Sequence, residues 1–324
     1  MNRQTLLLLA WLTAFTAVGT PFAWVQDADR GTLTLRENGK PVLTYNYGDQ
    51  LPAGVNPRFT RSCYVHPIHG LDGEILTDDF PADHYHHRGL SWMWPTIQIG
   101  DEPRTYDLWH ISGMRQHFDA WLERQTDADR ATLGTRHHWK IGDRVVAHET
   151  LRLVVHRPDD FGRAIDVELQ VQAVDQPVHL RGEVDKGYGA FCLRFAPRQH
   201  TLLTTDRGPL REDSLHQAYA WTDFSARFAQ RDTFSGIAVF THPGSADRDA
   251  SWILRHYGFV GTCWPGTESF TLPVGESFVL RHRLYLHRGN SSEGRVPSAF
   301  EQYRGSIPVG PGVPAEPSLY PRLP

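Results

Sequence analysis

The clearest pattern along the chain is the alternation of apolar and polar residues in short segments. In residues 165–171 (IDVELQV) the two kinds of residue alternate strictly, and the segment extends to residue 174. Successive side chains of a β-strand point to opposite faces, so this run predicts a strand with one buried face and one solvated face. Residues 32–36 and 42–45 flank the pair Asn38-Gly39. Both turn residues tolerate positive φ, which predicts a β-hairpin here.

Further segments are short, β-branched or alternating, and are bounded by Gly, Pro or Asp: residues 148–156, 178–184, 191–195, 236–242, 268–274 and 277–287. Helical periodicity is scarce. Residues 116–125 are ambiguous, and residues 298–303 could form a short helix with Ser298 and Glu301 as a capping box. Many short strands without intervening helices predict an all-β fold, a large antiparallel β-sandwich formed by residues 27–304 as one domain. Residues 305–324 are dense in Pro and Gly and predict a flexible tail.

Composition narrows the class of protein only slightly. The net charge of −4 and the pI near 6.5 give no basic patch of the kind that nucleic-acid binding requires. Neither a Gly-rich phosphate loop nor a dinucleotide-binding fingerprint occurs. The chain does contain 18 histidines and 10 tryptophans. Proton-transfer groups beside large flat rings suit a polar, ring-shaped ligand.

The N-terminus has the pattern of a secretory signal peptide. Arg3 precedes an apolar run at residues 6–18 and a stretch of small residues, with a cut expected between Gly19 and Gln26. We expect a signal peptide at residues 1–23 and export to the periplasm or the extracellular space. An uncleaved anchor is the alternative. The rest of the chain has no segment of transmembrane length, so no transmembrane domain is expected.

The three cysteines, Cys63, Cys192 and Cys263, are widely spaced and show no metal-site or redox-pair pattern. Free cysteine is among the most buried residue types, so buried thiols are expected. In an oxidising compartment one pair could form a disulfide, and the spacing does not determine which.

The densest group of chemically active side chains lies in residues 79–90, DFPADHYHHRGL. Histidine gives and takes protons near neutral pH, and arginine suits anionic or oxyanionic groups. If residues 84–94 run as an extended strand, alternation places five side chains on one face and His87 on the other. The five are His84, His86, Arg88, Trp92 and Trp94.

Three hypotheses compete for this segment. In the first, the histidines act as general acid and base while Arg88 holds an acidic group or a developing oxyanion. In the second, His84 and His86 bind a divalent metal with a third group, although the adjacent arginine would repel a cation. In the third, the segment is a polar loop whose histidines bond to neighbouring backbone.

Further candidates flank the segment. His66 and Asp79 could complete or orient the acid and base, and a paired-carboxylate glycosidase could use Asp79 with Glu183 or Asp185. The remaining expected contacts with a substrate are stacking by Trp92, Trp94 or Trp109 and polar binding by Lys186 and Arg194.

Several segments together carry a family resemblance: residues 66–68 and 73–81, the DHYHHRGL run at 83–90, GIAVFTHP at 236–243, and RLY at 283–285. On these segments the chain resembles the bacterial DUF6807-like family labelled "methane oxygenase PmoA". The resemblance implies exported proteins linked with sugar breakdown and a galactose-mutarotase-like supersandwich fold. Its label implies a metal-dependent oxygenase.

The sequence therefore predicts an exported carbohydrate-active protein that acts on a small-molecule or oligosaccharide substrate. We expect an enzyme that uses histidine acid–base chemistry, as in an epimerase, a lyase or a glycoside-cleaving enzyme, with no cofactor required. The alternatives are a non-catalytic carbohydrate-binding module and a metal-dependent oxygenase.

Overall fold

The computed structural model of the chain describes residues 20–307. The predicted signal peptide lies outside this part except for residues 20–23, and the predicted tail lies outside it except for residues 305–307. Within residues 20–307 the chain forms 22 strands, a 3₁₀ turn at Pro57–Phe59 and one helix, α1 (Val296–Ser306). In chain order the strands are β1 (Phe22–Asp27), β2 (Thr32–Glu37), β3 (Lys40–Asn46), β4 (Tyr64–Ile68), β5 (Leu90–Met93), β6 (Thr96–Ile99), β7 (Thr105–Tyr106), β8 (Arg115–Thr126), β9 (Arg130–Ile141), β10 (Arg144–His156), β11 (Gly162–Ala173), β12 (Val178–Arg181), β13 (Ala190–Arg194), β14 (Arg198–Thr205), β15 (Gly208–Leu210), β16 (Ser214–Gln217), β17 (Trp221–Phe228), β18 (Ser235–Thr241), β19 (Ser251–Arg255), β20 (Phe259–Cys263), β21 (Phe270–Leu272) and β22 (Ser277–Arg288).

The strands form two nine-stranded antiparallel sheets and one small sheet. The first sheet has the order β1-β2-β3-β4-β5-β13-β20-β19-β16, and the second has the order β15-β14-β17-β18-β22-β11-β10-β9-β8. The small sheet has the order β21-β12-β6-β7. The predicted all-β antiparallel sandwich is confirmed.

One hydrophobic core joins the three sheets. Leu35 and Trp92 of the first sheet, Leu151 and Leu284 of the second, and Ile97 of the small sheet are all buried in it. Removal of apolar surface from water drives this packing, at roughly 25 cal/mol per Å² buried.

Local sequence signals located several elements correctly. Asn38 and Gly39 have φ of 49° and 78° and turn the chain between β2 and β3, as predicted. In β11 the apolar residues of the 165–171 run are buried, and the polar residues between them are partly exposed. The ambiguous residues 116–125 belong to a long strand, β8.

Other expectations need correction at their ends. Residues 178–184 and 268–274 contain shorter strands than predicted, β12 and β21. Helix α1 begins earlier than predicted, and Arg295 precedes it with φ of 54° and no side-chain cap. Ser298 and Glu301 therefore lie inside the helix and form no capping box. Pro297 in the first turn, whose ring fixes a helical φ, explains why the helix starts here.

The outer face of the first sheet carries a second, smaller apolar cluster. Met93, Cys192, Ile253 and Phe259 alternate with core residues along β5, β13, β19 and β20, so they point away from the sandwich. Trp109 packs on this cluster from a loop. This face is the floor of the candidate site described below.

All three cysteines are free and buried, in agreement with the expected buried thiols. Within residues 20–307, no helix has the length and apolar content that crossing a bilayer would require.

Candidate functional site

The histidine segment lies at a cavity of about 300 Å³ on the outer face of the first sheet. We call this cavity the imidazole pocket, because four histidines line it. Its lining residues are His84, His86, His87, Trp109, His110, Lys186, Tyr188, Ile253, Arg255, Tyr257 and Phe259.

The histidines converge through turns and not through an extended strand. Residues 81–89 form turns and bends, and β5 begins only at Leu90. The amide of His84 donates to the carbonyl of Pro81, and the amide of His87 donates to the carbonyl of His84, both at 2.9 Å. The predicted alternation of His84, His86 and Arg88 on one face is therefore wrong, and His87 joins the other two imidazoles.

Four aromatic rings form a stack at the wall of the pocket. The rings of Tyr257 and His84 are parallel within 5°, with centroids 5.5 Å apart. His84 and His87 follow at 4.6 Å and 6°, and His87 and Phe259 at 4.8 Å and 29°. The stack fixes the planes of two imidazoles against rigid neighbours, which limits their rotation.

His86 lies across the end of this stack and links it to a second loop. Its ring is nearly perpendicular to that of His87, with centroids 4.5 Å apart, and lies 4.7 Å from that of His110. Beside it the rings of Trp109 and Tyr188 pack at 4.4 Å. Imidazoles from two loops therefore face one space.

Buried polar contacts hold the second loop in place. Arg61, which is buried, donates to the carbonyls of Leu108 at 2.9 Å and Trp92 at 3.2 Å. The carboxylate of Asp107 accepts the amide of His110 at 2.8 Å. These bonds fix the backbone that presents Trp109 and His110 to the pocket.

Two of the imidazoles have carboxylate partners. Nδ1 of His110 bonds to Asp107 at 2.8 Å. Nδ1 of His84 lies 3.0 Å from Asp83, an ion-pair distance without the alignment of a hydrogen bond. Asp83 also accepts two bonds from Arg194, at 2.7 and 2.9 Å. A carboxylate on one ring nitrogen orients an imidazole and stabilises a positive charge on it.

The other two imidazoles are held neutral. Burial, together with the neighbouring His110 and His84, lowers the pKa of His86 to about 3. Burial, then His86 and His84, lower the pKa of His87 far below its ordinary value. Near neutral pH the pocket therefore combines unprotonated imidazoles, which can accept a proton, with carboxylate-paired ones.

Arg88 does not face the pocket. Its guanidinium is fully buried, donates to the carbonyls of Tyr85 at 2.6 Å and His87 at 2.7 Å, and lies 3.5 Å from the ring centroid of Phe80. In this conformation it cannot hold a substrate anion, contrary to the expectation. It ties the turns of the histidine segment together, and the competition for these carbonyls explains why the segment is not a strand.

Trp92 and Trp94 are also placed differently from the expectation. Their side chains have 1% and 0% of their surface exposed and belong to the main core. They cannot stack on a ligand, because both point from β5 and its end into the sandwich. Trp109 does line the pocket.

Neither His66, in β4, nor Asp79, at the start of the histidine segment (residues 79–90), lines the pocket. Asp79 accepts the hydroxyl of Tyr64 at 2.8 Å and lies 3.4 Å from Nε of Arg88. Burial raises the pKa of Asp79 to about 6, against the opposing effect of Arg88. Nδ1 of His66 lies 3.0 Å from the hydroxyl of Thr77, and burial lowers the pKa of His66 to about 4.

Lys186 lines the pocket as expected, from the loop between β12 and β13. Arg194 does not line it: Arg194 is buried below Tyr257 and bonded to Asp83, so it supports His84 indirectly. The lining residues that were not predicted as site residues are His110, Tyr188, Ile253, Arg255, Tyr257 and Phe259. The pair Trp109-His110 and the KGYG run at residues 186–189 stand out in the sequence as groups of polar and aromatic residues. No local pattern marks the pocket residues at the ends of β19 and β20.

The donor set does not fit a divalent cation. Among residues 20–307, no three His, Cys, Asp or Glu side chains are placed to hold one metal ion. The ammonium of Lys186 and the guanidinium of Arg255 line the same cavity and would repel a cation.

The fold and the pocket together define an antiparallel β-sandwich protein with an imidazole-lined cavity on one sheet. The chain belongs to the family described as a family of unknown function, DUF6807, whose model matches residues 32–301. The resemblance read from the DHYHHRGL run is confirmed at the level of this family.

A search of the curated proteins finds no match to the chain. Among solved structures, the chain is similar to a galactose mutarotase related enzyme from Lactobacillus acidophilus, with 8% sequence identity and a TM-score of 0.36. The alignment covers 82% of this chain and 97% of that one. A likeness of this degree carries no conclusion about the activity of this chain.

Proposed function

We propose that this protein is a carbohydrate-processing enzyme that transfers protons through the imidazole pocket. One observation carries the proposal: four imidazoles from two loops converge on one open cavity lined with aromatic rings. Clusters of ionisable groups in a concave site are the usual structural basis of acid–base catalysis.

The differing environments of the imidazoles suggest a division of labour. His86 stays unprotonated near neutral pH and would act as general base. His110, whose Nδ1 bonds to Asp107, would act as general acid through its other nitrogen. Their ring centroids are 4.7 Å apart, so both could reach one substrate molecule.

The shape of the pocket favours a sugar ring. A volume of about 300 Å³ lies at the lower end of small-molecule sites. Tyr188, which is half-buried, and the 4% of the Trp109 surface that remains exposed would offer apolar contacts to the C–H groups of a sugar, and the imidazoles would offer polar edges to its hydroxyls. His84 and His87 would form a rigid wall, and Arg88 and Arg194 would act as positioning residues behind it.

The reaction class can be tested by isotope exchange. The purified protein is incubated in D₂O with mono- and disaccharides, and the products are analysed by mass spectrometry. An epimerase that abstracts and returns a carbon-bound proton would introduce carbon-bound deuterium, a lyase would expel its leaving group and form an unsaturated sugar, and a glycoside-cleaving enzyme would release a shorter sugar. The proposal would be contradicted if no saccharide gave either deuterium exchange or a new product.

The aromatic lining favours one alternative, a non-catalytic carbohydrate-binding protein. The stack of Tyr257, His84, His87 and Phe259 is rigid and would retain affinity without chemistry. Saccharide binding without turnover in the same experiment would support it. The metal-dependent oxygenase is less favoured, because the residues of the pocket do not fit a metal ion.

We further propose that the protein is exported and acts in the periplasm or outside the cell. The proposal rests on the signal-peptide pattern of residues 1–23.

A further inference from the structure

The imidazole pocket contains positive charges without negative ones. Lys186 and Arg255 both contribute to its lining, and none of its lining residues carries a carboxylate. Lys186 is exposed, and within residues 20–307 no carboxylate forms an ion pair with its ammonium group. The nearest carboxylate oxygen to Arg255 belongs to Asp213, at 3.9 Å.

The carboxylates around the rim are occupied by other partners. Asp83 accepts two bonds from Arg194. Asp107 accepts the amide and the imidazole of His110. Asp213 accepts the amide and the imidazole of His256, at 2.8 and 2.9 Å.

Glu183 is also engaged, by backbone of its own loop. Its carboxylate accepts the amides of Asp185 at 3.1 Å and Lys186 at 3.0 Å. These carboxylates keep their negative charge, but within residues 20–307 none forms an ion pair with Lys186, and the ion pair of Arg255 with Asp213 is long, at 3.9 Å.

We propose that the saccharide bound in this pocket carries a negatively charged group, held by Lys186 and Arg255. The inference rests on the proposed function and specifies its substrate class. A guanidinium binds a carboxylate or sulfate through two parallel hydrogen bonds, and an ammonium group adds a point charge that adapts to its position. The group would be the carboxylate of a uronic acid or a sulfate ester, since both can present a pair of acceptor oxygens to the two N–H groups of a guanidinium.

The lowered pKa of His86 is consistent with a negatively charged saccharide as the substrate. Nearby positive groups, including Arg61 and Arg88, contribute to lowering the pKa of His86. A bound anion would offset these charges and make it easier for His86 to hold the proton that it accepts from the substrate.

The experiment compares matched sugars by titration calorimetry on the full chain. D-glucuronate is compared with D-glucose, D-galacturonate with D-galactose, and D-galactose 6-sulfate serves as the sulfate arm. We expect each preferred acid to bind at least about tenfold more tightly than its neutral partner, with affinity falling as salt increases. A preference shared by the uronates identifies a carboxylate, and a preference for the sulfate alone identifies a sulfate ester.

Two variants and one control locate the effect. Lys186→Gln and Arg255→Gln should each remove most of the preference for the acid, whereas Lys40→Gln, at another exposed lysine outside the pocket, should leave it intact. Equal affinity for acid and neutral sugar, no binding of any acid, or equal behaviour of Lys186→Gln and Lys40→Gln would overturn the inference. Turnover of neutral sugars that is insensitive to Lys186→Gln would overturn it while leaving the proposed function intact. Acid binding that depends on Lys186 without any turnover would contradict the proposed function alone.

Discussion

The imidazole rings of His84 and His87 lie parallel, with an interplanar angle of 6° and centroids 4.6 Å apart. The two residues are three positions apart in a pair of tight turns, and in an extended strand they would point to opposite faces. The rings meet at the pocket because the histidine segment folds in turns and does not run as a strand of the sheet. It depends on the buried bonds that hold the turns.

Arg88 is predicted to stabilise the fold and not to contact a ligand. Arg88→Met should reduce the free energy of unfolding by about 3 kcal/mol or more, because it leaves buried carbonyls without donors and removes the charge partner of Asp79. Urea denaturation measures this change. A variant with unaltered stability that had lost activity would show instead that Arg88 acts on the substrate.

The tryptophans should divide into two groups. Trp92→Ala should cost about 3–5 kcal/mol of stability because its side chain fills the core. Trp109→Leu, on the wall of the pocket, should weaken saccharide binding by about fivefold or more, because stacking is lost. Denaturation and calorimetry on both variants check this. Unchanged saccharide affinity in a folded Trp109→Leu protein would argue against ring stacking at this position.

The stability of the protein should fall in mild acid. The pKa of His66 is lowered to about 4 and that of His86 to about 3, so between these values and about 6.5 the unfolded chain binds more protons than the folded one. Each histidine should therefore reduce the free energy of unfolding by up to about 2 kcal/mol at about pH 5. Asp79 has the opposite effect on stability in mild acid. Its raised pKa of about 6 means that the folded state binds a proton more readily than the unfolded chain.

The two histidines should outweigh the one carboxyl group. We expect a lower free energy of unfolding at about pH 5 than at about pH 7, and a smaller difference in His66→Asn. Urea denaturation at both pH values gives the result. Equal or greater stability at the lower pH would show that burial does not lower these pKa values.

The mature N-terminus should lie at or before Phe22. Phe22 is 2% exposed and begins β1, where it pairs with Glu37 of β2. The expected signal peptide of residues 1–23 would take two residues of this strand with it, so a cut between Gly19 and Phe22 is favoured over an end at residue 23. Mass spectrometry of the exported protein determines the cut. A mature chain that begins after Phe22, or one that retains Met1, would contradict the prediction.

Local patterns were sufficient for much of the fold. The Asn38-Gly39 turn and the alternation in β11 depend on contacts between neighbours in sequence, and both appear as predicted. The ends of β12 and β21 were harder to predict, because they depend on which backbone groups find partners in the small sheet.

The candidate site was only partly predictable. Residues 79–90 identified the histidines, but alternation could not show that the Arg88 side chain would take the carbonyls of its own loop. Nor could it show that Tyr257 and Phe259 would complete the ring stack, because the first sheet brings them from more than 160 residues away. Trp92 and Trp94 lie close to the histidines in sequence, but alternation along β5 directs both side chains into the core and Met93 toward the outer face.

His86 is predicted to transfer a proton in the imidazole pocket. The most direct measurement is the turnover of a responsive saccharide by His86→Asn, compared with His200→Asn. His200 is exposed on β14 of the second sheet and has a φ of 54° that asparagine tolerates, so the same substitution there is a matched control. We predict a loss of about a hundredfold to ten-thousandfold in kcat for His86→Asn and no loss for His200→Asn. Equal turnover by the two folded variants would show that His86 does not transfer a proton in the reaction.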